Sequence, residues 1–378
     1  MNVEMIGWVA PRVSSEIVPA LGPPFQKEAI AAAARTHEQA GFDRVLVGYF
    51  TTQPDGFLVA AHAAAVTERL GLLLAHRPGF VAPTLAARKL ATLDQLTDGR
   101  TAVHIISGGQ DLDQARDGDW LGHEARYRRS AEYVRLLRRT WTAEAPFDHD
   151  GEFYRVRKAF SEIRCVTPPH LPVYGGGGSD DSVELLAPEL DVYMLWGEPL
   201  ADTAAMMARV RAVAPHAQFS VSTRPILGRT DGEAWDRARA ILAQVLDRAG
   251  GRAPRPPENE GSKRLLTLAE RAAVHDTCLW TELAAATGAP GNSTALVGSP
   301  ETVAAALAAY HAIGVRSLLV RGYDPLPDAA EYGRELIPRV RELVAAQPAG
   351  PERPGPRPTP PAAPASSASG SGLGAPNR

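Results

Sequence analysis

The run Gly175-Gly176-Gly177-Gly178-Ser179 is the segment of this 378-residue sequence best suited to gripping an anion. Glycines let backbone N–H groups approach a ligand closely, and a helix that follows would present its positive end. Ser179 adds a hydroxyl donor. The same run fits a tight strand-to-helix turn with Ser179 as an N-cap, and residue pattern alone leaves both readings open. It has neither the G-x-G-x-x-G spacing of a dinucleotide fold nor the lysine of a P-loop. His123 and Tyr127 stand four residues apart and so share one helix face. Their flat rings with polar tips suit an aromatic cofactor, or equally a half-buried helix interface. His104 sits in an apolar strand and could be a satisfied core histidine. No His/Asp/Glu cluster has metal-ligand spacing, and no G-x-S-x-G elbow occurs. Chemistry without a protein nucleophile or a metal points to a cofactor that does the hard step.

The elements that must position these residues alternate in type. Short apolar runs are predicted as strands at Val3–Val9, Arg44–Val47, Leu72–Ala75, Thr101–Ile106, Pro172–Tyr174, Val192–Leu195, Phe219–Leu227 and Ser317–Val320. Helical patterns separate them, among them Pro83–Leu96, Glu124–Trp141 and Gly232–Arg248, and Phe153–Val156 suggests a hairpin. Almost wholly apolar strands between helices predict a covered parallel sheet. Eight of them predict an α/β fold closed as a (β/α)8 TIM barrel over residues 1–346. An insertion of roughly Gly250 to Gly291 between the seventh and eighth strands is expected to form a lid, with Gly250–Lys263 a mobile loop. Active sites of such barrels form at the C-terminal strand ends. There lie His76-Arg77-Pro78-Gly79, Ser107-Gly108-Gly109, the glycine run, Trp196-Gly197-Glu198-Pro199, Arg224 and Arg321-Gly322-Tyr323.

A formal net charge of −3 argues against nucleic acid or an anionic membrane as the main partner. No apolar run approaches the roughly 20 residues that span a bilayer, so a cytoplasmic protein is expected. Cys165 and Cys278, far apart, are expected to be free thiols. The Pro/Ala/Ser/Gly-rich tail 347–378 offers nothing with which to build a core and is expected to be disordered.

Five stretches in order give the chain a family resemblance: HRPGFVAPTLAARKLATLDQLTDGR (76–100), HEARYRRSAEY (123–133), YGGGGSDDSVELLA (174–187), DVYMLWGEP (191–199) and TALVGSPETVA (294–304). On these it resembles the luciferase-like flavin-dependent monooxygenases, and among them the alkanesulfonate monooxygenase branch, to about residue 345. The resemblance implies a barrel that takes reduced FMN (FMNH2) from a separate NAD(P)H-dependent FMN reductase. It implies O2 as co-substrate, a flavin C4a-(hydro)peroxide as oxidant, a small-molecule substrate and a homo-oligomer, dimer or tetramer. In the sulfonate-using relatives the products are an aldehyde and sulfite. It places Gly177, Gly178 and Ser179 at the FMN phosphate, His123 and Tyr127 beside the flavin, and Ser107 beside its ring system. His76 and His104 join the cofactor set. Trp196 matches the tryptophan of W-G-E-P and Tyr323 an active-site tyrosine.

The substrate side departs from that pattern. Gln53 stands where the sulfonate enzymes have a cysteine, and Ser222-Thr223-Arg224 where they have Arg-x-His. His104 replaces an asparagine, and Ala289 falls where the lid carries an arginine. Arg224 is the expected anchor of an anionic substrate, with Tyr323 as proton donor or positioning group. The alternatives are an F420- or FMN-dependent hydride-transfer enzyme of the same fold, and a flavin-binding barrel without activity.

Overall fold

The computed structural model describes residues 3–254 and 256–348. Eight parallel strands close into a ring: Glu4–Val9, Arg44–Val47, Gly71–His76, Thr101–Ile105, Val173–Gly176, Val192–Trp196, Gln218–Leu227 and Ser317–Val320. Each pairs with the next in chain order, and the eighth returns to the first, with Glu4 opposite Ser317. The expected barrel is therefore the observed one.

Its continuous apolar runs follow from burial on both faces. On the third strand Leu72 and Leu74 face the helix layer, while Leu73 and Ala75 face the interior with Ile6, Leu46, Ala102 and Leu319. The barrel's N-terminal end is closed by a polar knot. The Tyr174 and Ser317 hydroxyls donate to Glu4 Oε2 at 2.9 and 2.7 Å, and Arg44 Nε donates to Oε1 at 3.1 Å. Burial alone would raise the Glu4 carboxyl; the Arg44 charge and these hydrogen bonds bring it below its ordinary value.

The predicted hairpin is Phe147–Asp150 with Arg155–Ala159. Between the seventh and eighth strands the structure is richer than expected. Asn259, read as loop, caps a helix Glu260–Arg271 by accepting from Ser262 N at 2.8 Å, so the loop expected over Gly250–Lys263 ends at Asn259. An unforeseen strand, Ala295–Gly298, pairs in parallel with Arg224–Leu227, where the long seventh strand runs past the barrel rim. A helix Pro300–Ala312 follows. The tail expected to be disordered lies, from residue 349 on, outside the described residues. Cys165 and Cys278 are free, and burial pushes both thiols up to about 12. Among the described residues no helix is long and apolar enough to cross a membrane.

Candidate active site

The glycine run leaves the fifth strand at the open end of the barrel and is pinned by a chain of hydroxyls. Tyr193 donates to the Gly177 carbonyl at 2.7 Å. Its single proton is thereby used, so the buried Ser182 hydroxyl donates to Tyr193, also at 2.7 Å. Tyr127, from the helix His123–Thr142, lies within hydrogen-bond reach of Ser182 and Ser179, and burial pushes its hydroxyl up. With the Gly177 carbonyl held in the wall, the trans peptide turns the Gly178 N–H the opposite way. Gly178 itself, with Ser179, lines a cavity of about 530 Å³. Ser179 also accepts from Ser182 N at 3.2 Å, so it caps the next turn as well as lining the cavity. A Cβ on Gly177 would stand 2.5 Å from Ser182 Oγ and 2.7 Å from the Tyr127 hydroxyl. Only glycine fits there.

Opposite the glycines the cavity is walled by His123, Arg126 and Asp111. His123 Nδ1 meets Asp181 at 2.9 Å, and Arg126 meets Asp111 at 2.9 Å. Glu258 reaches in from the loop before the insertion helix and accepts from Asp111 N at 3.0 Å. The start of that helix abuts the run, with Gly261 N 3.1 Å from a Cβ placed on Gly178.

His104 points into the barrel. Its Nδ1 is buried without a partner, and burial pushes the ring down to about 4, so it is neutral at pH 7. Trp196 packs against Gly261 at the foot of the insertion helix, beside the Arg264–Glu198 ion pair. Across the ring, Arg224 is buried and gives two hydrogen bonds to the Glu16 carboxylate, at 2.6 and 2.9 Å. Its guanidinium lies 3.6 Å from the ring centroid of Tyr323. The Tyr323 hydroxyl is buried without a partner and pushed up to about 12 by burial, so it keeps its proton.

Three expected site residues lie elsewhere. His76 does not face the ligand end: the third strand turns it outward, where its Nε2 meets the Tyr133 hydroxyl at 2.7 Å. Tyr133 donates to the Val81 carbonyl, so His76 supplies the other proton and is a wall residue. Ser107 is buried and donates to Ser130 Oγ at 2.9 Å on the neighbouring helix. Gln53 is exposed in the loop after the second strand. Arg224 stays at the barrel mouth, but the anion it holds is the chain's own Glu16. Glu16, Arg126 and Glu258 were missed because nothing local marks them. Trp8, inward at the end of the first strand, was legible from strand parity.

Residues 5–317 match the family model of luciferase-like monooxygenases. The chain belongs to that family. Among solved structures it is similar to DmoA from Hyphomicrobium sulfonivorans, with a TM-score of 0.72 and 18% identity over 90% of this chain and 88% of that one. It is similar also to the riboflavin lyase RcaE with modified FMN and substrate riboflavin, with a TM-score of 0.73 and 18% identity over 94% of each chain. A third is the coenzyme F420-dependent tetrahydromethanopterin reductase from Methanopyrus kandleri, with a TM-score of 0.67 and 15% identity over 90% of this chain and all of that one. At such identities these likenesses speak for the fold.

For a luciferase-like protein, the residues around the glycine run fit a flavin phosphate: a backbone N–H turned outward, a hydroxyl, and a Cβ-free approach. Five carboxylates also line that cavity: Asp111, Asp180, Asp181, Glu258 and Glu260. Glu258 is exposed and opposes an incoming dianion. Glu258→Gln is expected to tighten FMN binding about fivefold, roughly the 1 kcal/mol of an exposed charge interaction. Fluorescence titration at low salt checks this, and weaker binding would remove Glu258 from the cavity's electrostatics.

Proposed function

We propose that the chain is the oxygenase of a two-component system. It takes FMNH2 from an NAD(P)H-dependent FMN reductase and uses O2 to oxidise a small anionic substrate, an alkanesulfonate or related organosulfur compound. What supports this reading above all is the Gly177–Gly178 peptide, whose carbonyl is tied into the wall by Tyr193 while Gly178 lines the cavity. Reduced FMN, when bound, supplies the two electrons that O2 activation needs.

The chain's own residues do the rest. The Gly178 N–H and the Ser179 hydroxyl donate to the phosphate, and His123 and Tyr127 flank it. His104, neutral with a free Nδ1, offers the barrel centre a polar contact without a charge. The insertion over 250–291, docked through Trp196 on Gly261 and Arg264 on Glu198, acts as the lid that keeps water from the reacting centre. Tyr323 stays protonated and serves as a donor rather than a base.

The test is an anaerobic titration with FMN, FMNH2 and F420, followed by turnover of a sulfonate panel with a generic FMN reductase. FMNH2 binding, then aldehyde and sulfite released in step with O2 consumption, is the expected result. Oxygen-independent hydride transfer with F420 would overturn the reading. Oxygen consumption that never yields an oxidised organic product would mark a flavin-binding barrel without monooxygenase activity.

A further inference from the structure

A second cavity, of about 310 Å³, opens at the barrel mouth beside the first, seventh and eighth strands. In a ring of eight, the junction of the eighth and first strands lies across from that of the fourth and fifth, where the glycine cavity sits. The two cavities thus lie on opposite sides of the ring.

The charged groups lining it are Glu16, Arg224 and Arg321. His37 also lines it, but burial holds its ring down to about 4, so it carries no charge at pH 7. Glu16 is committed to Arg224 by the two hydrogen bonds at 2.6 and 2.9 Å. Burial alone would raise its carboxyl; the Arg224 charge and hydrogen bonds outweigh that and bring it to about 2. Arg321 comes only within 3.7 Å of the same carboxylate, beyond hydrogen-bond range. Two cations thus share one anion, and the lining keeps one positive charge. Asp328 and Glu331, on the adjoining helix, are engaged by Arg237. The Arg321 guanidinium lies 5.3 Å from the ring centroid of Trp8. Burial, and then the neighbouring Arg224, push Arg321 down to about 10, so it stays cationic at neutral pH in a setting where an added anion is favourable.

We propose that Arg321 and Trp8 form the recognition site for a small organic monoanion, a carboxylate or a sulfonate whose apolar part lies on Trp8. Glu16 is the built-in counter-anion that occupies Arg224 and leaves Arg321 to the ligand. The specificity-determining cation is then Arg321, with Arg224 a positioning residue behind it. The role of this anion as the oxidised substrate rests on the function proposed above; its binding does not, because no flavin is needed for it.

The experiment is calorimetry on the full, flavin-free protein with hexanesulfonate, hexanoate, hexanol and inorganic sulfate. One of the two organic anions is expected to bind with unit stoichiometry, and the preference between them identifies the head group. Hexanol and sulfate, each lacking one half of the recognised chemistry, are expected to bind at least tenfold more weakly. Arg321→Ser should weaken the organic anion at least tenfold with FMN affinity kept within twofold, while Arg321→Lys should lose no more than about threefold. Glu16→Gln should melt earlier, bind the anion more tightly, and regain melting temperature when it is added. Unchanged anion binding in Arg321→Ser, or hexanol equal to hexanesulfonate, overturns the proposal. Anion binding in a protein that binds no flavin would sink the oxygenase reading and leave this one standing; flavin binding without anion binding would do the reverse.

Discussion

Gly177→Ala is expected to raise the Kd for FMN about a hundredfold while leaving the barrel folded. The added methyl group would stand 2.5 Å from Ser182 Oγ and 2.7 Å from the Tyr127 hydroxyl, well inside contact distance. Ser182 cannot swing away, because it is fully buried and bonded to Tyr193 at 2.7 Å. The glycine loop itself must shift, and the Gly178 N–H and the Ser179 hydroxyl leave the phosphate together. Hydrogen bonds to a charged group contribute roughly 1.5–3 kcal/mol each, so losing one to two of them costs about 3 kcal/mol, or two decades in Kd. Equilibrium dialysis with FMN gives the number, and circular dichroism confirms the fold. Ser179→Ala, which removes one donor together with the weak cap on Ser182 N but adds no clashing atom, should cost about tenfold. An alanine variant that binds FMN as the wild type does would mean the phosphate lies elsewhere.

Acid is expected to destabilise the flavin-free protein well above the range where carboxylates protonate. Burial is the largest cause holding His37, His76 and His104 down to about 4. His37 is fixed as the neutral Nδ1–H form, since Nδ1 donates to the Ala33 carbonyl at 2.7 Å and Nε2 accepts from Trp8 N at 3.4 Å. An unfolded chain takes up these protons near pH 6.5, the folded chain only near 4. Between those values the unfolded state binds more protons, so stability falls as pH falls; below about 4 these groups take away nothing more. Each contributes about 1.4 kcal/mol per pH unit at full slope. His104 is the least buried of the three and adds the smallest share. Together they should remove roughly 3–4 kcal/mol between pH 7.5 and 5.5, a drop in Tm of about 5 °C for a domain of this size. His311, also held down by burial, adds in the same direction, whereas Asp328, pushed up by burial, opposes it at lower pH. Glu16, at about 2, is lost only below pH 4.5 and leaves this window untouched. Denaturant melts at half-unit pH steps would show it. A Tm that stays flat from 7.5 to 5.5 would mean these rings are not held neutral.

Much of the architecture could be read from period and punctuation. Pro83–Leu96 forms the helix its proline start and apolar spacing predict, and all eight barrel strands lie where short apolar runs put them. What failed did so for physical reasons. The polar run before Glu260 hid a helix whose apolar stripe, Leu265 and Leu268, begins only beyond Lys263. Ala295–Gly298 is too short a run to be told from a loop until the seventh strand outgrows the barrel and offers it an edge. His76 was placed at the site by its neighbours in sequence, although strand parity with Leu72 and Leu74 sends it outward. That the glycine run would line a cavity at the barrel mouth was legible because glycine and hydroxyl chemistry is local. The other end was not, since Glu16 and Arg224 are 208 residues apart and their pairing exists only in the folded ring.

The knot of Glu4, Arg44, Tyr174 and Ser317 plugs the barrel floor, so the vessel has one doorway. Ligands held at the two cavities would both have to enter from the same side. That shared approach is set by four residues that line neither cavity.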